Sequence, residues 1–392
     1  MIDRIVAVAS TAAGAFAVCG MAYYLVCLYS AARFLGERKA AGEGARPTPA
    51  GTHPVSILKP LRGTDPEMYE SFRSHCLQDY LKYEIIFGVS DPADPALQMV
   101  EKLKLEFPQR AIRAMICGEN LGSNTKVSNL AQMLRQAKHE NILVNDSDIR
   151  VPSDYLRRVL TPLADPQVGL VTCLYRGIAG PTLGSRLEAL GISTDFSAGV
   201  LAARELEGGI RFGLGSTLAF RRRDLEAIGG FEALVDYLAD DYEIGRRMAE
   251  RGLRVTLSDV VVETFLPAYT MRQFVDHQLR WGRTVRDSRR WGYLGLVLTF
   301  GFSWALLAVV LSQGAVWAWA LMGAALALRF AVGLAVGWSV LRDRHALRLM
   351  PWLPLRDLVA ALIWLASLTG HHVVWRGDSF ILKDGKLARI DS

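Results

Sequence analysis

Apolar and polar positions follow two different rhythms along this chain. Between residues 55 and 146, four short branched or apolar runs, "VSILKPL" (55–61), "YEIIFGVSD" (83–91), "AIRAMIC" (111–117) and "NILVND" (141–146), read as strands. The stretches between them, "MYESFRSHCLQDYL", "PALQMVEKLKLEF" and "KVSNLAQMLRQA", place apolar residues at helical spacing. Strand–helix alternation predicts an α/β fold, a mostly parallel sheet with helices on both faces. Ligands of such sheets bind beyond the carboxyl ends of the strands, and "GVSDPADP" and "VNDSD" fall at those ends.

From residue 168 the rhythm loosens. "VGLVTCLYR" predicts a strand and "LGSRLEALGISTDFSAGVLAAREL" an amphipathic helix. "FGLGSTLAFRRRDLEAIGGF" predicts a strand turning into a short helix, and "YLADDYEIGRRMAERG" a helix headed by carboxylates and stopped by Gly252. "LRVTLSD" and "VVVETF" predict two strands, and "TMRQFVDHQLRWGRTVRDSRRWGY" a helix. The intervening "RKAAGEGARPTPAGTHP" (38–54) has linker composition.

At both ends the polar positions vanish. Ile5–Tyr29 carries no charge, longer than the roughly 20 residues a bilayer core requires, and no small-residue cleavage site follows it. It predicts a retained anchor. Residues 293–311, 315–341 and 353–369 are similar, and Arg329 within the second must face protein or water. Arg33, Arg38, Lys39 and Arg46 follow the anchor, and Arg280, Arg283, Arg286, Arg289 and Arg290 precede the later spans. Positive residues favour the cytoplasmic side, so the central region is expected there. Three full crossings after it would leave the tail outside; one re-entrant segment would bring it back. The expected division is an anchor at 1–32, a linker at 33–54, a cytoplasmic domain at 55–275, an interfacial amphipathic helix at 276–292, about three membrane segments at 293–376 and a tail at 377–392.

Composition adds little beyond this. Hydrophobic residues make up 51% of the 392 residues, with nine Trp and a net charge of +6, which suits an anionic membrane surface or anionic substrate. No aromatic-and-basic stripe or zinc spacing suggests a nucleic-acid partner. The five cysteines have no paired spacing and read as free buried thiols.

Four acidic or basic groups could carry chemistry. Asp146-Ser-Asp148 can hold Mg²⁺ or Mn²⁺ with substrate phosphates, or can cap a helix starting after "DSDIRVPSDYLRR". Asp91 and Asp94 can rigidify a proline-rich turn or accept hydrogen bonds from a nucleotide. Asp240, Asp241 and Glu243 can complement a helix dipole or supply a general base. Arg280 and Trp281 of "HQLRW" can anchor a membrane interface or clamp a diphosphate.

Taken in order, "VSILKPLRGTDP", "GVSDPADPA", "KVSNL", "NDSDIRV", "LADDYEIG" and "LRW", with the anchor and the apolar C-terminal third, resemble one family over almost the whole chain. It is the membrane glycosyltransferases of the ceramide glucosyltransferase type (family 21-like, inverting), with bacterial relatives that glycosylate hopanoid lipids. The resemblance implies a GT-A nucleotide-sugar fold. It implies that Asp94, with Asp91 beside it, and Lys126 of "KVSNL" bind the donor, that Asp146 and Asp148 hold a divalent cation, and that Asp241, next to Asp240, is the base. Arg280 and Trp281 match the end of the family's (Gln/Arg)-x-x-Arg-Trp element, but its first position here is His277, so a donor-binding role there rests on a departure from the pattern. The implied reaction moves one hexose from a UDP-sugar to a membrane lipid hydroxyl with inversion. A ceramide-type acceptor is expected, with N-acetylglucosamine or another sugar on a hopanoid as the alternative, in a bacterial inner membrane. A processive polysaccharide synthase and a non-catalytic scaffold are the remaining competitors.

Overall fold

The structure, a computed structural model, describes residues 1–44, 53–375 and 378–389. The chain divides into two compact units, one formed by Ala40–Ile178, Glu207–Pro267 and Asp378–Ser392, the other by Met1–Lys39, Ala179–Leu206 and Ala268–Gly377.

The first unit is built on an eight-stranded sheet. Its strands are β1 (Val55–Pro60), β2 (Tyr83–Val89), β3 (Ala111–Ile116), β4 (Asn141–Val144), β5 (Ile149–Arg150), β6 (Val168–Ile178), β7 (Leu218–Arg221) and β8 (Arg254–Phe265). They lie in the order β3-β2-β1-β4-β7-β6-β8-β5. The first four are mutually parallel, as the strand–helix alternation requires. β7 runs antiparallel to both β4 and β6, β6 and β8 are parallel, and β5 runs antiparallel to β8. The sheet is therefore mixed. Every residue of β1 and β2 is buried, which explains why these strands read as continuous apolar runs. One core cluster joins Leu58, Ile86, Val127, Leu130, Val144, Phe220, Phe231 and Ile244, tying the sheet to the helices Thr125–Gln136 and Asp240–Glu250.

Residues 253–265, expected as two strands, form the single strand β8. The Ser258-Asp259 pair between them is absorbed as a pairing shift opposite Cys173 and Leu174, with Val260 N donating to Ser258 Oγ at 3.2 Å. The tail is a β-hairpin of this unit: Asp378–Lys383 pairs antiparallel with Lys386–Arg389. Asp384 and Gly385 both take positive φ, 52° and 77°, the backbone that an Asp-Gly hairpin turn demands. So the chain leaves this unit at Pro267 and returns to it at Asp378.

The second unit is helical. The anchor helix runs unbroken from Ile2 to Gly44, so residues 33–44 are not linker. "AARFLGERKAA" is rich in strong helix formers, and Arg33 pairs with Glu37 one turn on at 3.2 Å. The remainder of the expected linker, 45–52, and the calls at Arg46 and at tail residues 377 and 390–392 lie outside the described residues. Among the described residues, three helices are long and apolar enough to cross a membrane, Asp3–Ala40, Val316–Val340 and Arg344–Ser367. Arg290–Thr299 and Gly301–Leu311 form a pair bent by 54°, a broken span or a re-entrant loop. Arg329 is buried and faces protein, where its guanidinium forms a bidentate pair with Asp357, both contacts at 2.8 Å. Residues 183–206, expected inside the catalytic domain, belong to this unit and are helical, with a π-helical turn at Ile192–Phe196. The helix expected over 270–293 begins with a Thr270–Gln273 capping box and stops at Ser288, because Arg289 leaves helical geometry (φ −141°) before Arg290–Gly295 resumes.

The helix Asp240–Glu250 seats against the loop before β7 through Gly245, where a Cβ would come within 2.5 Å of Gly213 N and the Phe212 backbone. Gly245→Ala is expected to destabilise the protein by about 1–3 kcal/mol through overpacking, seen as a lower unfolding temperature of the detergent-solubilised protein. An unchanged melting curve would refute that packing.

Candidate active site

β4 delivers Asp146 from the centre of the sheet. Its last turn is held by Asn145, buried, whose Nδ2 donates to Tyr155 Oη at 2.9 Å and to the Ser216 carbonyl at 2.6 Å. Lys59, inside the apolar run of β1, is fully buried and donates from Nζ to the Asp146 carbonyl at 2.9 Å. Burial pushes its pKa down to about 7, despite the carboxylates of Asp148 and Asp146 nearby. After Asp148 the chain enters β5, and the next helix starts only at Tyr155, so neither aspartate caps a helix. Asp148 accepts from Thr264 Oγ1; burial first, and Asp146 next, push its carboxyl up to about 6.

Asp91 and Asp94 do cap their turn: Asp91 Oδ1 accepts from Ala93 N at 2.8 Å and Asp94 Oδ1 from Ala96 N at 2.9 Å. Asp94 goes further. Its Oδ2 accepts from Gly63 N at 2.8 Å, and two residues along that same loop Asp65 accepts from Ser147 Oγ. The loop after β1 thus bridges Asp94 to the Asp146-Ser147-Asp148 turn.

The acids converge around Lys126. Asn124 caps the Thr125–Gln136 helix, accepting from Val127 N at 3.2 Å, and the second residue of that helix is the lysine. Its Nζ lies 2.9 Å from Asp146 Oδ1 and 3.4 Å from Asp240 Oδ2. Burial alone would lower the lysine's pKa; Asp146, Asp240 and Asp241 more than offset this and hold the ammonium charged. Asp240 and Asp241 are both pushed up, chiefly by burial; the Asp240 carboxylate adds to the rise at Asp241, which reaches about 6. Gly215 separates the two arms of the cluster: a Cβ there would lie 3.3 Å from both Asp146 Oδ2 and Asp241 Oδ2, so these oxygens flank a gap no wider than twice that distance. Glu243, buried, turns away to Arg246 and Arg247, at 2.8 and 3.2 Å, and is taken up by that ion pair network.

These donors fit a cation shared with a diphosphate. Among the described residues no three His, Cys, Asp or Glu side chains form a ready-made cage. Yet Asp240 Oδ2 is buried with the Lys126 ammonium 3.4 Å away, and Asp146 Oδ2 faces the gap. Magnesium and manganese sites with one or two carboxylates are completed by substrate phosphates.

His277, Arg280 and Trp281 lie on the Met271–Ser288 helix of the other unit. There the His277 ring stacks on Tyr269 at 5.4 Å and meets Trp281 at 5.2 Å, and its Nδ1 stands 3.2 Å from the buried Glu188. Gln278 donates to Glu188 at 2.8 Å and accepts from Arg356 at 3.0 Å. Glu188, Lys59, Asp65 and Gly215 escaped the sequence reading. A lone lysine within an apolar strand was the available signal for Lys59; nothing local marks the others.

The C-terminal hairpin also reaches this site. Leu387 N donates to the Asp236 carbonyl at 2.7 Å, and Leu238 N to the Gly385 carbonyl at 3.1 Å. Lys386 Nζ sits 5.3 Å from the centre of the Tyr237 ring. The same short loop caps the other arm: Asp236 Oδ1 accepts from Ser123 N at 2.9 Å, and the Tyr237 carbonyl from Asn124 Nδ2 at 2.7 Å. Residues 236–238 therefore fasten the hairpin to the helix carrying Lys126 and lead directly into Asp240.

A model of the family described as "Glycosyl transferase family 21" matches residues 12–388. A match over so much of the chain defines the class of protein, a glycosyltransferase. The chain belongs to glycosyl transferase family 21. It is 28% identical over 228 residues to "Ceramide glucosyltransferase 3" of Caenorhabditis elegans, covering 58% of this chain and 49% of that one. Over 153 residues it is 31% identical to "Ceramide glucosyltransferase" of Komagataella phaffii, covering 38% and 30%. The chain thus spans about half the length, or less, of the curated relatives it matches. Among solved structures, the mannosyltransferase PcManGT from Pyrobaculum calidifontis, in complex with GDP-Man and Mn²⁺, is similar with a TM-score of 0.48 at 20% identity, covering 89% of this chain and 99% of that one.

Replacing the shared counter-ion, Lys126→Met, should lower the unfolding temperature more at pH 8 than at pH 5. Without the ammonium the folded acids hold their protons to higher pH than unfolded ones, so stability falls as pH rises. Equal losses at both pH values would contradict this. Deleting residues 378–392 should lower kcat at least tenfold with little change in the donor KM, measured by sugar transfer in detergent; an unaltered kcat would show that the hairpin is dispensable.

Proposed function

We propose that this protein transfers one hexose from a UDP-sugar to the hydroxyl of a ceramide-type membrane lipid, with inversion. The observation that carries the reading is the Lys126–Asp146–Asp240–Asp241 cluster at the carboxyl end of the sheet. Asp241, raised by burial and by Asp240, is the base. It takes the proton of the lipid hydroxyl as that oxygen attacks the anomeric carbon from the face opposite the nucleotide. The bond to the diphosphate breaks in the same displacement, so an α-linked donor yields a β-linked product, by the geometric logic of inverting glycosidases. Asp146 and Asp148 would hold a divalent cation, which when bound neutralises the charge of the departing diphosphate. Lys126 fixes Asp146 and adds positive charge beside it. Asp91 and Asp94 serve the donor's nucleoside through the loop at Gly63. Arg280, with Trp281 and His277, is assigned to the donor's diphosphate on the family pattern.

The sheet-bearing unit is placed in the cytoplasm by the arginines following the anchor and preceding the later apolar helices. The return of the hairpin to that unit supports a path in which the chain after residue 268 crosses the membrane an even number of times before it. Val316–Val340 and Arg344–Ser367 supply two crossings, and the bent pair at 290–311 is assigned as re-entrant.

The test is incubation of the purified protein with UDP-glucose or UDP-N-acetylglucosamine against ceramide and a hopanoid polyol. A single β-linked glucose on ceramide is expected. Sugar on the hopanoid alone would replace the acceptor, and a sugar polymer would overturn the reading. Asp241→Asn should keep donor binding while lowering kcat by about 10³-fold or more, within the range for loss of an acid–base group. In the unaltered protein kcat should fall about tenfold per pH unit below the pKa of the base, with an acidic limb above the usual carboxylate value near 4. A limb at or below 4 would remove Asp241 from the role.

A further inference from the structure

The helical unit carries a chain of hydrogen bonds that ends on His277. Arg356, buried, donates from Nη2 to Gln278 Oε1 at 3.0 Å and from Nε to the Leu187 carbonyl at 3.2 Å. Gln278 Nε2 in turn donates to Glu188 Oε2 at 2.8 Å. The second carboxylate oxygen, Oε1, stands 3.2 Å from His277 Nδ1. Both atoms are buried, and among the described residues neither has a hydrogen-bond partner in good geometry. Buried polar atoms are almost always paired, so these two are each other's partner, a slight turn of the ring apart.

The surroundings leave little freedom for another arrangement. At Gly184 a Cβ would come within 2.7 Å of the Tyr269 carbonyl oxygen, which also accepts from Thr182 Oγ1 at 2.7 Å. The Leu183–Gly191 helix, with Glu188 on it, is thus seated on the start of the Met271–Ser288 helix. Leu187 and Phe274 pack with Ile363 beside the polar chain. At Gly191 a Cβ would collide with the Arg356 guanidinium, which needs that space. The His277 side chain keeps 19% of its surface accessible, and the buried Nδ1 contributes none of it.

Polarity along the chain is set from one end. A guanidinium only donates, so Gln278 must turn its oxygen to Arg356 and its amide nitrogen to Glu188. A carboxylate only accepts, so the ring nitrogen facing it carries the proton. In the neutral imidazole Nε2 is then left with a lone pair. Gln or Arg at this position would bring N–H groups to a phosphate. A lone pair repels phosphate oxygens and takes an O–H instead.

We propose that Glu188 is a positioning residue that fixes His277 as the Nδ1–H tautomer, so that Nε2 accepts a hydroxyl of the sugar nucleotide while Arg280, one turn on, keeps the diphosphate. This rests on the reading of the helix as donor-binding and refines it, moving His277 from the phosphates to a hydroxyl.

The test uses the full chain in detergent, labelled with nitrogen-15 histidine, with the His277 signal identified by its loss in His277→Gln. At pH 8 the NMR spectrum should place a proton on Nδ1. In Glu188→Gln the amide oxygen must serve Gln278 and the amide N–H must face the ring, so the proton should move to Nε2. A bare Nδ1 in the unaltered protein, or an unmoved proton in a folded Glu188→Gln protein, would overturn the proposal. In transfer assays Glu188→Gln should raise the donor KM about tenfold with little change in kcat, as expected for one hydrogen bond. In the His277→Gln background the same change should cost less than about threefold, because residues acting through one contact are not additive. Equal costs in both backgrounds would reveal a merely structural glutamate and defeat the positioning role. Inhibition by inorganic pyrophosphate should weaken in Arg280→Met and not in Glu188→Gln; weakening in both would return His277 to the diphosphate. Because the spectra need no substrate, an Nδ1 proton in a protein that transfers no sugar would refute the proposed reaction and leave the Glu188–His277 pair standing.

Discussion

One buried ammonium organises the candidate site. Lys126 sits between Asp146, at the end of a central strand, and Asp240, at the head of a helix more than ninety residues on. Three neighbouring carboxylates without it would repel one another, and the least costly relief would be to protonate or move apart. With it, they can remain close. The lysine thus does in the protein alone part of the work a cation would share once a diphosphate arrives. The backbone beneath matches this demand: Asn145 is tied on several sides, and Lys59 grips the Asp146 carbonyl from below.

Convergence of distant residues follows from the sheet. β1 and β4 are parallel neighbours, so their exits, carrying the 61–67 loop and the Asp146 turn, emerge together. β7 runs the opposite way beside β4, which brings the start of β7, and with it Gly215, to the same edge. Only a residue without a side chain leaves the gap between Asp146 and Asp241 open. The helix that carries Asp241 is seated by a second glycine, Gly245, so spacing at this edge is set largely by close backbone approach.

Much of this was legible from the chain. The parallel half of the sheet was plain because β1 to β4 alternate with amphipathic helices, and the acids at the strand exits stood out against their apolar surroundings. The helix-cap alternative for Asp146 and Asp148 fails because a short β5 intervenes before Tyr155. The turn-capping alternative for Asp94 holds, yet does not exclude a further role, since its two oxygens do different things. What could not be read depended on contacts between remote positions. Nothing near Glu188 announces that it will meet His277 and Gln278. Nothing in 183–206, amphipathic as it is, separates a helix that covers a sheet from one that packs beside Cys27. The side of the tail stayed open for the same reason: counting apolar runs gives crossings, whereas the Asp384-Gly385 turn and its pairing partners decide where the strands go.

The sheet-bearing unit is assembled from three separate stretches of chain, with every apolar helix of the second half translated between the last two. During synthesis the loop at 236–238 waits, unfastened, until those helices have been made and the hairpin follows them out of the ribosome. A half-made chain already possesses all of its acids but not the clasp that steadies them. Order of manufacture therefore delays the finished pocket until the apolar helices after residue 290 have been made.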